Sequence, residues 1–129
     1  MKCLSIMQPW AHAILHLGKD VENRSWGTGF AGRILIHASK RVKTTFPAPR
    51  GWRAPVRLPS PDDERLIRGA IIGSVEIVGC VRDSRSPWAF PDYWHLILAR
   101  PKIFSRPIPY AGKAYLFHVD DSVVRRGLR

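Results

Sequence analysis

The sequence is poor in acidic residues and cysteine, and it has no long apolar run. Its 129 residues include 10 Asp and Glu against 21 Lys and Arg, which gives a formal net charge of +11. Two cysteines cannot form a disulfide scaffold, and both lie in apolar, strand-like surroundings, so we expect them to be buried and reduced. No uncharged segment is long enough to span a bilayer, and the N-terminus has no signal-peptide core. These absences predict a soluble, intracellular protein of the cytoplasm without membrane association.

Motifs for several kinds of chemistry are absent as well. Gly27-Thr28-Gly29 is too short to be a phosphate-cradling fingerprint. His12 and His16 share a helix face, but no third ligand accompanies them, so they do not predict a metal site. Neither Cys3 nor Cys80 has a convincing His and acid partner for nucleophilic catalysis. We therefore expect no metal and no cofactor.

Positive charge is concentrated in one part of the chain. No acidic residue lies between Glu22 and Asp62, and the basic residues of that interval are Arg24, Arg33, Lys40, Arg41, Lys43, Arg50, Arg53 and Arg57. Such a run repels itself unless an anion lies nearby, and Arg, which predominates here, suits bidentate contact with phosphate. The pattern favours a nucleic-acid partner. A solvated basic loop kept for solubility, or a membrane or ribosomal surface as partner, is compatible with the same charge.

The hydrophobic pattern predicts a mainly β protein with short helices (α+β), in a single domain over residues 1–129. Segments that favour strands lie at residues 4–6, 32–38, 70–81, 93–103 and 114–119. Pro9 and Gly18 bound a short helix after the first strand, with Trp10, Ala13, Ile14 and Leu17 on its apolar side. Ser60-Pro61 before three acids predicts a second short helix that ends at Gly69. Short strands with few helices are typical of a small closed or partly open β-barrel.

Residues 42–61 predict a long, semi-extended loop rich in proline and arginine. Its prolines remove ladder donors and restrict the residues before them, so regular structure is improbable there. Phe46 and Trp52 alternate with arginines, which fits a flap over a nucleic-acid strand with Trp52 as a stacking platform. Alternatively, the two aromatic side chains anchor the loop to the barrel.

Residues 19–26 contain the leading candidate site. In an extended segment Glu22, Arg24 and Trp26 share one face, and the long side chain of Lys19 reaches the same surface. An indole that stacks, two cations for phosphate or carbonyl oxygens, and a carboxylate for an exocyclic amine form a plausible nucleotide reader. The alternative is an exposed Glu22–Arg24 ion pair beside a core-packed Trp26.

Several fixed spacings together carry a resemblance to a known family. They are Gln8-Pro9-Trp10-Ala11, Gly18-Lys19, Glu22-x-Arg24-x-Trp26, Gly32-Arg33, Ile36-His37-Ala38, Ile72-Gly73-x-Val75 and Cys80. In these the sequence resembles the ASCH (activating-signal-cointegrator homology) domains, which are PUA-like β-barrels associated with RNA or DNA binding, and it is nearest to the coactivator-type members. The resemblance implies a small barrel with a helix after strand 1. It also implies a nucleic-acid partner, RNA favoured over DNA, and possible protein partners in a transcription or translation assembly; we expect a monomer.

Combining the pattern and the resemblance gives a set of candidate nucleic-acid-binding residues. They are Gln8, Trp10, Lys19, Glu22, Arg24, Trp26, Arg33, His37, Lys40, Arg41 and Lys43. Some members similar to this chain hydrolyse an acylated cytidine and others cleave RNA, so a hydrolase is the alternative. The amidohydrolase members carry Lys-x-x-Thr-x-Arg, whereas Glu22 stands here in place of the threonine. Lys19 and Glu22 are then the candidate catalytic acid and base.

Overall fold

The computed structural model describes residues 1–43 and 48–127, which form a curved six-stranded sheet with two short helices. The strands are β1 (Lys2–Ile6), β2 (Val21–Arg24), β3 (Gly32–Ala38), β4 (Ala70–Val81), β5 (Trp94–Pro109) and β6 (Leu116–His118), and the helices are α1 (Trp10–His16) and α2 (Asp121–Gly127). In the sheet the strands follow the order β2-β5-β4-β3-β1-β6 and curve into a half-barrel. The expected mainly β fold, with a short helix directly after the first strand, is confirmed.

The curvature of the sheet brings β2 close to β1, although three strands separate them in the strand order. β1 pairs in parallel with β3, whereas β2 pairs with the first part of β5 at the other edge of the sheet. Across the resulting gap the Arg24 Nη2 donates a hydrogen bond of 2.9 Å to the carbonyl oxygen of Ser5. The candidate residues of β2 therefore face the end of β1.

The central strands are buried on both faces. Because side chains alternate along a strand, Ile34 and Ile36 of β3 lie in the main core with α1, while Leu35 lies in a second cluster with Phe117 and Val124. This double burial explains why β3 is apolar along almost its whole length. The predicted apolar side of α1 is confirmed for Trp10, Ala13 and Ile14, which are buried in the main core, whereas Leu17 follows the helix and is only partly buried.

Two glycines mark irregularities in β4. The β4–β5 register shifts between Ile71 and Gly73 and again between Ile77 and Gly79. At Gly73 an added Cβ would lie 2.4 Å from the carbonyl oxygen of Lys102 on β5 and 2.8 Å from the Leu15 side chain of α1. The missing side chain therefore allows β4, β5 and α1 to approach one another closely.

The predicted helix between Ser60 and Gly69 is wrong, because the segment forms successive turns. The Ser60 hydroxyl donates to the Asp62 carboxylate and so caps no helix. The Arg68 guanidinium donates to the carbonyl oxygens of Pro61 and Asp63, the acceptors that a helix would offer to its own N–H groups. Two further differences are that β5 continues to Pro109 and that the basic C-terminal segment contains α2.

The described part of the 42–61 loop, residues 48–61 together with 42–43, contains neither helix nor strand, as expected. Trp52 donates from Nε1 to the carbonyl oxygen of Pro87 at 3.0 Å, and its ring lies edge-on to Trp10 and Phe90. These contacts favour the anchoring interpretation for Trp52. Phe46 lies outside the described residues.

The two cysteines are free thiols in different surroundings. Cys3 is fully buried, and burial raises its pKa to about 12, which keeps the thiol protonated. Cys80 is only half-buried, in contrast to the expectation, because the end of β4 is partly exposed.

Within residues 1–43 and 48–127, no helix combines the length and the apolar character that crossing a membrane requires.

Candidate functional site

The turn between α1 and β2 directs a lysine into the protein. Gly18 adopts φ +75°, and the Lys19 backbone N–H donates to the Ala13 carbonyl oxygen at 3.1 Å, which reverses the chain after the helix. The Lys19 side chain then points inward and is only 3% exposed. Its Nζ donates to the Val21 carbonyl oxygen and to Glu22 Oε1, at 2.7 Å in the second case.

Glu22 is held between two cations. Arg24 donates to Glu22 Oε2 from Nε at 3.0 Å and approaches it with Nη2 at 2.9 Å. Glu22 is 6% exposed, so the interpretation of an exposed Glu22–Arg24 pair is wrong. Because each carboxylate oxygen has two lone pairs and Oε1 accepts one bond from Lys19, Oε1 retains room for one further donor.

The ion triad Lys19–Glu22–Arg24 shifts the pKa values of its members. Burial by itself would raise the pKa of Glu22, but the charges and hydrogen bonds of Lys19 and Arg24 outweigh it and lower that pKa. Burial lowers the pKa of Lys19, and Glu22 offsets this effect only in part. Glu22 is therefore firmly ionised at neutral pH, while Lys19 releases its proton more readily than an exposed lysine does.

The triad opens into a cavity of about 320 Å³, here called the aromatic cavity. Besides the triad it is lined by four aromatic side chains: Trp10, Trp26, Phe90 and Tyr93. Its volume lies at the lower end of the range for small-molecule pockets, about 300–1,000 Å³. Flat apolar walls around a few buried polar groups suit a planar ligand that carries hydrogen-bonding edges.

Trp26 lies at the mouth of the aromatic cavity and is half-buried. The Arg24 Cζ is 6.0 Å from its ring centroid, and the Tyr115 ring meets it edge-on at 5.4 Å between centroids. Deeper in the cavity Trp10 is 7% exposed, with the Lys19 Nζ 5.6 Å from its ring centroid. Both indoles thus lie next to cations of the triad.

A second cavity of about 580 Å³, here called the basic cavity, adjoins the first. The two cavities share Ser5, Met7 and Arg24 in their walls. The other charged side chains of the basic cavity belong to Lys40, Arg41 and Lys113, and among residues 1–43 and 48–127 no carboxylate lines it. An anion is the ligand that this lining suits.

His37 lies beneath the basic cavity and is 1% exposed. Its Nε2 donates to the Tyr110 carbonyl oxygen at 2.6 Å, so Nδ1, 2.9 Å from the Ser5 Oγ, accepts from that hydroxyl when the ring is neutral. Burial lowers the pKa of His37 and favours this neutral form. The geometry gives His37 a clear role in joining β1, β3 and the loop after β5.

Three of the predicted binding residues line neither cavity. Gln8 is buried, with Nε2 donating to the Ile67 carbonyl oxygen and Oε1 accepting from the His12 backbone N–H at the start of α1, both at 2.9 Å. Arg33 donates to the Ser74 hydroxyl at 2.9 Å and pairs with Glu76. Lys43 is exposed at the end of the first described range.

Glu76 also lies outside both cavities, in a half-exposed network with arginines. Hydrogen bonds from Arg100, together with the charges of Arg100 and Arg33, lower the pKa of Glu76. A carboxylate with a lowered pKa, held by two arginines, is a poor general base. Within the described ranges no group of three or more His, Cys, Asp or Glu side chains is placed to hold a metal ion.

Several lining residues were not among the sequence candidates. Phe90 and Tyr93 precede β5, while Lys113 and Tyr115 follow it in the loop before β6. The sequence feature that could have identified them is the clustering of aromatic and basic residues in loops that contain proline and glycine. Their convergence on β2 depends on the curvature of the sheet, which no local pattern encodes.

Comparison with known proteins agrees with this architecture. The model of the ASCH domain matches residues 4–104, well over half of the chain. Activating signal cointegrator 1 of Homo sapiens is 32% identical over 97 residues, which cover 70% of this chain and 16% of that protein. Its Mus musculus counterpart is 30% identical over 99 residues, again 70% of this chain and 16% of the relative. The similarity is thus confined to one region of much longer proteins, and by the extent of the family match this chain belongs to the ASCH domain family.

Proposed function

We propose that the protein is a nucleic-acid-binding module that holds a base of a single strand in the aromatic cavity. The observation that carries the proposal is the buried ion triad at the wall of that cavity. Removing the charged groups of Lys19 and Glu22 from water costs several kcal/mol per ion, and an apolar cluster of similar volume would stabilise the fold equally well. The triad is thus better accounted for by recognition of a polar ligand than by stability.

Each part of the cavity has a chemical counterpart in a nucleotide. Trp26 offers a half-exposed indole for stacking, and the open lone pair of Glu22 Oε1 suits an exocyclic amine. Arg24 has no hydrogen-bond partner for Nη1 within residues 1–43 and 48–127, so that nitrogen remains for a phosphate or carbonyl oxygen. RNA is favoured over DNA because sequence-reading RNA modules typically bind unstacked bases of single strands.

A matched pair of tryptophan variants tests the proposal. Trp26 and Trp94 are both half-buried and both lie beside an arginine, with Arg82 Cζ 5.1 Å from the Trp94 ring centroid, but only Trp26 lines the aromatic cavity. Stacking of one base is worth about 1–3 kcal/mol, so Trp26→Ala should weaken binding of a fluorescent random-sequence RNA octamer about 5- to 150-fold. Trp94→Ala should leave the affinity nearly unchanged.

Fluorescence anisotropy at low salt measures these affinities, with circular dichroism as a check of folding. Absence of octamer binding by the unmodified protein would overturn the proposed function. Equal losses in the two tryptophan variants would remove the aromatic cavity as the binding site. Parallel titrations with a DNA octamer and a DNA duplex decide between the nucleic acids.

A hydrolase remains a second candidate, favoured by the lowered pKa of Lys19 beside Glu22. A buried lysine that releases its proton readily suits general acid–base chemistry on an amide or on the 2′-hydroxyl of RNA. Incubation with RNA and with an acylated cytidine tests this candidate. Turnover that disappears in Lys19→Ala supports it, and absence of turnover, or turnover unaffected by that change, removes it.

A further inference from the structure

The basic cavity is lined by basic side chains, and packing holds the segments that carry them in place. Lys40, Arg41 and Lys113 line it, and none of them forms an ion pair within the part of the chain that the structure describes. The Lys40 stem passes over Gly69, whose φ is +70° and whose added Cβ would lie 2.9 Å from Lys40 Cγ. The stem of Lys40 is therefore packed against the backbone at Gly69, and the residue lines the basic cavity.

The loop that carries Lys113 is held against the wall shared by the two cavities. At Gly112 an added Cβ would lie 2.8 Å from the Ser5 Oγ and 2.9 Å from the His37 Cε1, so the backbone rests directly on these side chains. The Tyr110 carbonyl oxygen accepts from His37 at 2.6 Å just before this point. The loop after β5 is thus positioned before any ligand arrives, which lowers the entropic cost of binding.

Tyr115 is the unusual residue of this loop. It has φ +59°, a left-handed conformation that costs a bulky residue about 1–3 kcal/mol. Its side chain does not repay that cost by burial, since the residue is 63% exposed. The conformation instead places the Tyr115 ring in the basic cavity wall and edge-on to Trp26, at the boundary with the aromatic cavity.

We propose that the basic cavity is a second nucleotide subsite, so that the protein binds two successive nucleotides of one single strand. This inference rests on the proposed function of the aromatic cavity. The linking phosphate lies at Arg24, which lines both cavities, and the next phosphate contacts the Lys40, Arg41 and Lys113 side chains. The second base stacks on the exposed face of Tyr115. A dinucleotide is accordingly the smallest ligand that fills the site.

Competition experiments with RNA of increasing length test the second subsite. Mononucleotides, dinucleotides and tetranucleotides of each of the four bases compete with a fluorescent random-sequence RNA octamer for the protein. A second stacked base and its phosphate should tighten binding at least about 5-fold from mononucleotide to dinucleotide. A further step to the tetranucleotide should add less, because the described cavities offer no third platform.

Four variants test whether the tighter binding of the dinucleotide depends on the basic cavity. Tyr115→Asn removes the ring while keeping a residue type that accepts a left-handed φ, and Lys113→Ala removes one cation. Each should reduce dinucleotide affinity about 5-fold or more and reduce mononucleotide affinity less than that. Tyr115→Phe retains the ring, and Lys102→Ala removes an exposed lysine that lines neither cavity, so both should match the unmodified protein.

The possible outcomes separate the two proposals. If the octamer binds in a Trp26-dependent manner but the dinucleotide binds no tighter than the mononucleotide, or Tyr115→Asn and Lys113→Ala lose no more than Lys102→Ala, the second subsite is overturned while the proposed function stands. If the octamer does not bind, both are overturned. Equal competition by an oligoglutamate peptide would overturn the nucleotide assignment of the basic cavity.

Discussion

At the scale of single residues, Glu22 determines the electrostatics of the site. Its two oxygens accept from Lys19 and Arg24, and without it two cations would remain close together with little water around Lys19. An unpaired buried charge is far more destabilising than a buried pair is stabilising. Glu22 is therefore expected to support both the fold and the proposed ligand contact.

Glu22→Gln should lower the free energy of unfolding at about pH 7 by roughly 3 kcal/mol, because the buried Lys19 loses its counter-charge. The folded-state pKa of Glu22 is lowered, so its stabilising contribution is present above its ordinary pKa of 4.5 and is lost as the pH falls through the folded-state pKa. The difference between the two proteins should thus shrink in acid. Urea denaturation at about pH 7 and about pH 3.5 measures it.

The half-exposed Glu76 provides the control for that prediction. It also pairs with arginines, but its ion pairs are open to solvent, so Glu76→Gln should change stability little at either pH.

In Glu22→Gln the pKa of Lys19 should fall further, and stability should rise with pH above neutrality as that lysine loses its proton. If the stability difference between Glu22→Gln and the unmodified protein stays constant as the pH falls, the buried Lys19–Glu22 pair is contradicted.

At the scale of elements, the close approach of β4, β5 and α1 holds the half-barrel together. β4 pairs with β3 on one side and with β5 along nearly its whole length on the other, and α1 packs across all three strands. At Gly73 these elements come so close together that an added Cβ would clash with both β5 and α1. Because β1, α1 and β2 supply the walls of the aromatic cavity, a displacement of α1 would reach the site.

Gly73→Ala should destabilise the protein by about 3 kcal/mol, since its Cβ would meet a backbone oxygen of β5 at 2.4 Å and backbone cannot move aside cheaply. Gly79→Ala in the same strand is the matched control, because its Cβ would meet only Ile97 Cγ1 at an ordinary 3.9 Å. That variant should remain within about 0.5 kcal/mol of the unmodified protein. Chemical denaturation compares them, and equal stabilities would refute the close β4–β5 approach.

At the scale of the whole molecule, a formal charge of +11 gives attraction to any polyanion. Specific phosphate contacts differ from this diffuse attraction because each one releases counterions from the bound strand. Four cations line the basic cavity, namely Arg24, Lys40, Arg41 and Lys113. The salt dependence of binding therefore reports whether that cavity contacts the backbone.

The logarithm of the binding constant for the RNA octamer should fall with the logarithm of salt concentration with a slope of about −1.4, as expected for about two phosphates of a single strand, one at Arg24 and one at Lys40, Arg41 and Lys113. Lys113→Ala should make the slope less steep, by at most about 0.7, whereas Lys102→Ala should not change it. Anisotropy titrations at several salt concentrations give the slopes. Identical slopes for both variants would indicate diffuse attraction instead.

The sequence predicted some features of the fold well and others poorly, for physical reasons. Strands β3 and β4 and the apolar side of α1 follow from the spacing of apolar residues, because burial imposes the period of the element. The segment after Ser60 has good helix-start residues, yet Arg68 takes its carbonyl oxygens and turns form instead. A local propensity was overridden there by contacts that only the folded chain provides.

For the site, the sequence by itself determined that Glu22 and Arg24 point to one side of an extended segment, because side chains alternate along a strand. It also determined the excess of positive charge. Only the tertiary structure decided that Glu22 is buried with Lys19 and that Tyr93, Lys113 and Tyr115 complete two adjoining cavities. Those contacts join residues far apart in the chain and depend on the curvature of the sheet, which arises from the packing of all its strands together.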